Sequence, residues 1–160
     1  KGSLRVNAYG TIDELNSYLG VVLSFNKDKK LKDKIILIQK DLFETGASLA
    51  SQSGYKNKNL SDYLNKRVLE FESEIDLLTK KLPKLENFIL PGGGTVGSNL
   101  HFARTLVRRA ERRVVELSER EKVNKDIIVF LNRLSDLLFM YARDINYKEK
   151  NKELLWKSRE

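Results

Sequence analysis

Cysteine is absent from the 160 residues, which rules out a disulfide framework and any thiolate metal site and leaves a reducing interior as the default compartment. Histidine occurs once, as His101. A di-iron bundle needs inward-facing Glu-x-x-His pairs, and the residue three before His101 is Ser98, so that reading fails. One histidine without cysteine also leaves no nucleophile triad, and His101 reads as a hydrogen-bonded helix residue. No metal ligands are assigned. Only two prolines interrupt the chain, and it holds neither an apolar run long enough to span a bilayer nor a signal-peptide pattern. Strand-like alternation is confined to a short stretch within residues 1–9.

What is present suits one helical domain over residues 1–160, long enough to bury roughly two thirds of its unfolded surface. The net charge of +8 makes a polyanion a first guess for a partner. Much of the excess lies in lysines of linkers and helix ends, at 27–34, 56–66 and 148–157, where solvation explains it, and exposed aromatics for base stacking are not interleaved with it.

Helical periodicity yields five elements. Thr11 and Glu14 form a capping-box pattern that starts the first helix, which carries Ile12, Leu15, Leu19, Val22 and Leu23 to about Phe25. The second, about 31–49, uses Ile35, Ile36, Ile38, Leu42, Phe43 and Ala47 and frays into Ser51 to Gly54; GYKNKN follows as a loop. Ser61 is the expected cap of the third, whose seam is Tyr63, Leu64, Val68, Phe71, Ile75 and Leu78, and Pro83 stops it. Thr95 or Ser98 caps the fourth, and the fifth runs from about Lys125 to Tyr147 along Ile127, Leu131, Leu134, Leu138, Tyr141 and Ile145. Short connections make an all-α, five-helix antiparallel bundle the simplest arrangement. The tail with Leu154, Leu155 and Trp156 either extends the fifth helix or docks on a neighbouring surface.

The chain is organised around residues 88–113, FILPGGGTVGSNLHFARTLVRRAERR, a glycine-rich turn feeding an arginine-laden helix. Leu100, Ala103, Val107, Ala110, Val114 and Leu117 make its core seam. Arg104, Arg108 and Glu111 stack along a second face, with Arg109 and Arg112 beside it. Two arginines one turn apart repel by roughly 0.2–0.5 kcal/mol, so a carboxylate of another helix or a phosphate-bearing ligand is expected to compensate them. The turn Pro91-Gly92-Gly93-Gly94 permits close backbone approach and could hold an anion at the following helix start, although a flexible connection explains it as well and it lacks a Walker ending. The fifth helix adds Asn132, Asp136 and Arg143 on one side, with a solvated polar stripe as the plain explanation. The first adds Asp13 and Asn16 at i, i+3, and Asp13 is a natural partner for an arginine of the fourth.

The strings YGTIDELNS, FILPGG, LHFARTLVRRAERRV and FLNRLSDLLFMYAR stand in the order and spacing of the PduO-type ATP:cob(I)alamin adenosyltransferases, and the resemblance covers nearly the whole chain. It implies a five-helix, ferritin-like bundle that assembles as a homotrimer with active sites between subunits. It also implies transfer of the 5′-deoxyadenosyl group of ATP to the cobalt of a reduced corrinoid, giving adenosylcobalamin and triphosphate, with Mg2+ accompanying the nucleotide. Carried over, Arg104 and Arg108 contact the ATP phosphates, and Arg104 pairs with Asp13 across the interface, Asn16 lying beside it in the nucleotide site. Asn132 holds the nucleotide or its magnesium, Glu111 and Arg109 support the site, Asp136 orients the arginines, and Phe88 presses on the lower face of the corrin. The resemblance further implies a reductase that supplies the electron, and a cytoplasmic protein, or one of an organelle matrix if a transit peptide precedes it.

Family members carry a threonine- and glycine-rich segment of the TRTGDxGxT kind before the first helix, and nothing in Lys1 to Tyr9 matches it. The expectation is that this ATP-binding segment is missing from the sequence. Asn7 also stands where an acidic residue is expected. The competing reading is a basic helical-bundle adaptor that binds nucleic acid or an acidic protein through the fourth helix; the enzyme reading calls for neither nucleic acid nor membrane.

Overall fold

A computed structural model describes residues 3–51 and 59–157. Five helices follow in order: α1 (Leu4–Phe25), α2 (Lys29–Ala50), α3 (Leu60–Lys81), α4 (Thr95–Ser118) and α5 (Asp126–Lys148). Apart from the single bridge Ile89–Leu155, no strand pairing occurs among the described residues. None of the helices is long and apolar enough to cross a membrane. The expected loop at 54–59 and the fraying at 51–54 fall largely outside the described residues.

Helix α4 packs against both α1 and α5, α5 against α3, and α1 against α2. Long side chains close the circle between α2 and α3: Arg67 Nε donates to Asp41 at 2.8 Å, and Lys34 pairs with Glu74. An odd ring cannot alternate throughout. The contacts Glu72–Arg133 and Lys81–Asp144 advance together along both chains, so α3 and α5 are the one parallel pair of neighbours. Residues 82–94 must therefore cross the end of α5 to start α4 on its far side, and this crossing carries Phe88.

The seams of α4 and α5 are the core. Leu100, Ala103, Val107, Ala110, Val114 and Leu117 are all fully buried, facing Leu131, Leu134 and Leu138. Replacing such a leucine by alanine costs roughly 2–5 kcal/mol in comparable cores. Asp41 lies inside between α2 and α3, where burial pushes its carboxyl up while Tyr63 Oη, 2.5 Å away, and Arg67 oppose the shift. Burial and the neighbouring Asp41 push Tyr63 itself up to about 12.

Several boundaries differ from expectation. Helix α1 begins two turns before Thr11: Ser3 caps it by accepting from the Val6 amide, and the Thr11 hydroxyl donates back to the Ala8 carbonyl at 2.8 Å. Asp28 caps α2 through the Leu31 amide. Ser61 lies inside α3 and accepts from Asn124 Nδ2, and Gly94, not Thr95 or Ser98, occupies the cap position of α4. Phe43 and Ala47 leave the α2 core seam for the surface, Phe43 being 71% exposed.

Candidate active site

Residues 149–157 turn back after α5 instead of extending it. The Leu90 amide donates to the Leu154 carbonyl at 2.8 Å and the Trp156 amide to the Phe88 carbonyl at 2.7 Å, so tail and crossing loop form a short antiparallel pair. Between this pair and the flanks of α4 and α5 lies a cavity of about 620 Å3, lined by Phe88, Ile89, His101, Arg104, Phe139 and Trp156 among others. Phe88 stands 80% exposed at its rim.

Two residues of α5 fix this loop. Asn146, 1% exposed, accepts from the Gly94 amide at 3.0 Å and donates to the Gly92 carbonyl at 2.9 Å. A Cβ on Gly97 would lie 2.1 Å from Asn146 Oδ1, and one on Gly93 would lie 2.3 Å from its Nδ2, at a backbone φ of +111° that already favours glycine. The glycines therefore admit an internal amide, and the turn is neither a flexible link nor an open anion cradle. Arg143, which the polar stripe of α5 would place in solvent, is 5% exposed. It donates to the Pro83 carbonyl at 2.8 Å and to Glu153 at 2.9 Å, clamping both ends of the loop and tail. Sequence reading missed Asn146 and misplaced Arg143, since no local pattern announces a contact some fifty residues away.

Arg104 lies on the cavity side of α4, its guanidinium 6.0 Å from the centre of the Phe139 ring, and its Nε is buried without a partner. Burial, then repulsion by Arg108 one turn on, holds its pKa below the usual arginine value; the spacing predicts this repulsion, but the carboxylate of another helix expected as one way to compensate it is not found among the described residues of the chain. His101 also departs from expectation: it is 3% exposed, and its Nδ1 has no hydrogen-bond partner. Burial, then the Arg104 charge, lowers its pKa from the ordinary value of 6.5.

The shift has a sign. The unfolded chain takes up a proton near pH 6.5 that the folded chain resists, so stability is full above that pH and erodes as pH falls toward the depressed folded value. His101 is the only histidine. Urea midpoints measured between pH 7.5 and 5 are expected to fall in the wild type and to stay nearly flat in His101→Phe; equal slopes would contradict a buried neutral imidazole.

The remaining predicted residues divide between two faces. Asp13 and Asn16 border a second cavity of about 360 Å3 between α1 and α2, shared with Tyr9, Phe43 and Gly46. No residue lines both cavities. Asp13 is exposed, and Asn16 is 7% exposed with its Oδ1 buried and unpartnered. Asn132 Nδ2 donates to Glu111 Oε1 at 3.0 Å, which brings those two together. Arg109 pairs with Glu14 of α1, not with Asp13. Asp136 pairs with Arg133 at 2.8 Å, so within one chain it does not orient the α4 arginines. Among the described residues no group of three or more His, Asp or Glu could hold a metal ion.

Residues 1–145 match the family model of cobalamin adenosyltransferase. The chain is 43% identical over 150 residues to the corrinoid adenosyltransferase of Bacillus subtilis, covering 91% of this chain and 76% of that protein. It is 42% identical over 139 residues to the corrinoid adenosyltransferase PduO of Citrobacter freundii, covering 87% of this chain and 42% of that one. It thus spans about three quarters of the first relative and less than half of the second. Among solved structures, a variant PduO-type ATP:corrinoid adenosyltransferase from Lactobacillus reuteri, complexed with cobalamin and ATP, superposes with a TM-score of 0.91 at 37% identity, covering 100% of this chain and 87% of that one.

Proposed function

The chain belongs to the cobalamin adenosyltransferase family, and on that premise we propose that it transfers the 5′-deoxyadenosyl group of ATP to the cobalt of cob(I)alamin or a related corrinoid. In the step, the cobalt(I) electron pair attacks the ribose 5′-carbon, a cobalt–carbon bond forms, and the carbon–oxygen bond breaks with its pair leaving on triphosphate. The observation that carries the reading is the cavity lined by both an exposed Phe88 and a half-buried Arg104 whose Nε has no hydrogen-bond partner.

Cobalt(I) is itself the nucleophile, so the protein's work is alignment and charge stabilisation. Arg104 and Arg108, held on one helix, would receive the developing charge of the triphosphate without reorganising. Phe88 would press on the lower corrin face, exclude water and a lower ligand, and thereby ease reduction of cobalt(II) by an electron-donating reductase. Magnesium would arrive on the triphosphate beside Asn132 and Glu111.

The active site would be completed between subunits of a homotrimer. Asp13 and Asn16 sit in a different cavity from Arg104, and the exposed Phe43 beside them supports contact with another copy. A nucleic-acid adaptor draws less support, because part of the positive charge of α4 is already paired within the chain: Arg109 with Glu14 and Arg113 with Glu116. The compartment we infer from the absence of cysteine is a reducing interior, the cytoplasm or an organelle matrix.

The test is absorbance. Full-length protein with ATP, magnesium and chemically reduced cobalamin should give the spectrum of adenosylcobalamin; its absence would reject the reading. Phe88→Ala is expected to lower turnover roughly 10- to 100-fold, the scale set by loss of alignment. Its KM for ATP should change little, and an equal rise in ATP KM would move Phe88 out of the corrin site.

A further inference from the structure

Two buried polar atoms without partners, His101 Nδ1 and Arg104 Nε, belong to residues that border the main cavity. The residues lie at i and i+3 on α4 and so project to one side of the helix. A buried polar atom left unpaired is a cost to the fold that a ligand can remove. Packing does not explain the imidazole: its ring meets Phe139 edge-on at 5.7 Å, a contact that a phenylalanine would make as well. His101 also borders a smaller hollow of about 300 Å3 between the glycine-rich turn and residues 151–154, so the ring stands where two spaces meet.

The two atoms differ in kind. The arginine Nε–H can only donate. The imidazole is kept neutral by burial and by Arg104, so with its proton on Nε2 the free Nδ1 accepts. A donor beside an acceptor matches a primary carboxamide, whose carbonyl accepts and whose NH2 donates. A carboxylate would satisfy Arg104 and bring no hydrogen to His101. Corrin rings carry short peripheral arms that end in such amides.

We propose that His101 and Arg104 together hold one primary carboxamide arm of the corrin edge, and that His101 thereby makes the site select amidated corrinoids over those with carboxylate arms. This rests on the corrinoid being the substrate. Arg104 keeps its two terminal nitrogens for phosphate or Asp13, since the guanidinium offers five donors.

The experiment compares a fully amidated reduced corrinoid with one whose arms are carboxylates, at saturating ATP. Trp156, the only tryptophan and a wall of the cavity, reports binding without turnover through quenching of its emission. His101→Phe keeps the ring contact and loses the acceptor. It is expected to raise KM for the amidated corrinoid roughly three- to tenfold, the scale of one lost neutral hydrogen bond, with ATP KM unchanged. The preference for amide over carboxylate should shrink by the same factor, a comparison in which the overall positive charge of the protein cancels. His101→Asn, whose side-chain oxygen can stand near the Nδ1 position, should recover most of the loss. An unchanged preference in folded His101→Phe overturns the proposal. Should the wild type adenosylate neither corrinoid, the reading beneath it fails, and quenching then decides the clamp alone: equal affinity for both corrinoids in the wild type overturns it.

Discussion

Arg108→Ala is expected to lower kcat for adenosyl transfer roughly 10²- to 10³-fold, the usual consequence of removing one preorganised charge donor from a developing anion. Arg108 is exposed, and among the described residues it meets only the repulsion of Arg104. A residue in that position does nothing for the isolated fold, so its removal should leave helix content and thermal midpoint unchanged or slightly improved. Arg113→Ala is the control on the same helix. Its partner Glu116 lies one turn away and both are about half exposed, so its loss should move stability and turnover little. Comparable losses in the two variants would mean that α4 acts through general positive charge, as an adaptor would. A drop confined to Arg108 locates the effect at the Arg104–Arg108 pair. The split between kcat and ATP KM then says whether the charge acts in the transition state or in ground-state binding.

The periodic parts of this fold were legible in the sequence. Every apolar position assigned to the α4 and α5 seams is buried, because each recurs at a spacing that only one helical face can satisfy. Local signals misled where tertiary context overrode them. Gly10-Thr11 imitates a helix start, yet a Cβ at Gly10 would meet nothing within 4 Å and Thr11 bonds back to the preceding turn, so α1 runs through both. Phe43 is as hydrophobic as its neighbours and no periodicity distinguishes a core position from a surface awaiting a partner. In the site, Phe88 and Arg104 were legible as functional residues, whereas His101 read only as a helix residue and the loop that groups the three left no signal. That loop depends on Asn146 filling the space left by Gly93 and Gly97, and on Arg143 reaching Pro83 and Glu153, contacts that pair distant positions and leave no periodic trace.

Mixing two inactive variants should restore activity. Asp13 and Arg104 border separate cavities on one chain, so if they meet at all they meet across a subunit boundary. On the proposed reading, Asp13→Ala and Arg104→Ala are each expected to lose on the order of 10²- to 10³-fold in turnover, because one would strip Arg104 of an orienting carboxylate and the other would remove the donor itself. In a heterologous ring, each site draws its two halves from adjacent protomers. Refolding the two variants together at equal amounts would place an intact Asp13 beside an intact Arg104 at about a quarter of the boundaries, and recover about a quarter of wild-type activity. Sites built within a single chain forbid any such recovery, since every protomer would carry one defect. A mixture no more active than its components, with exchange of subunits verified by mass, would therefore refute the shared site and leave Arg104 to be explained by its own bundle.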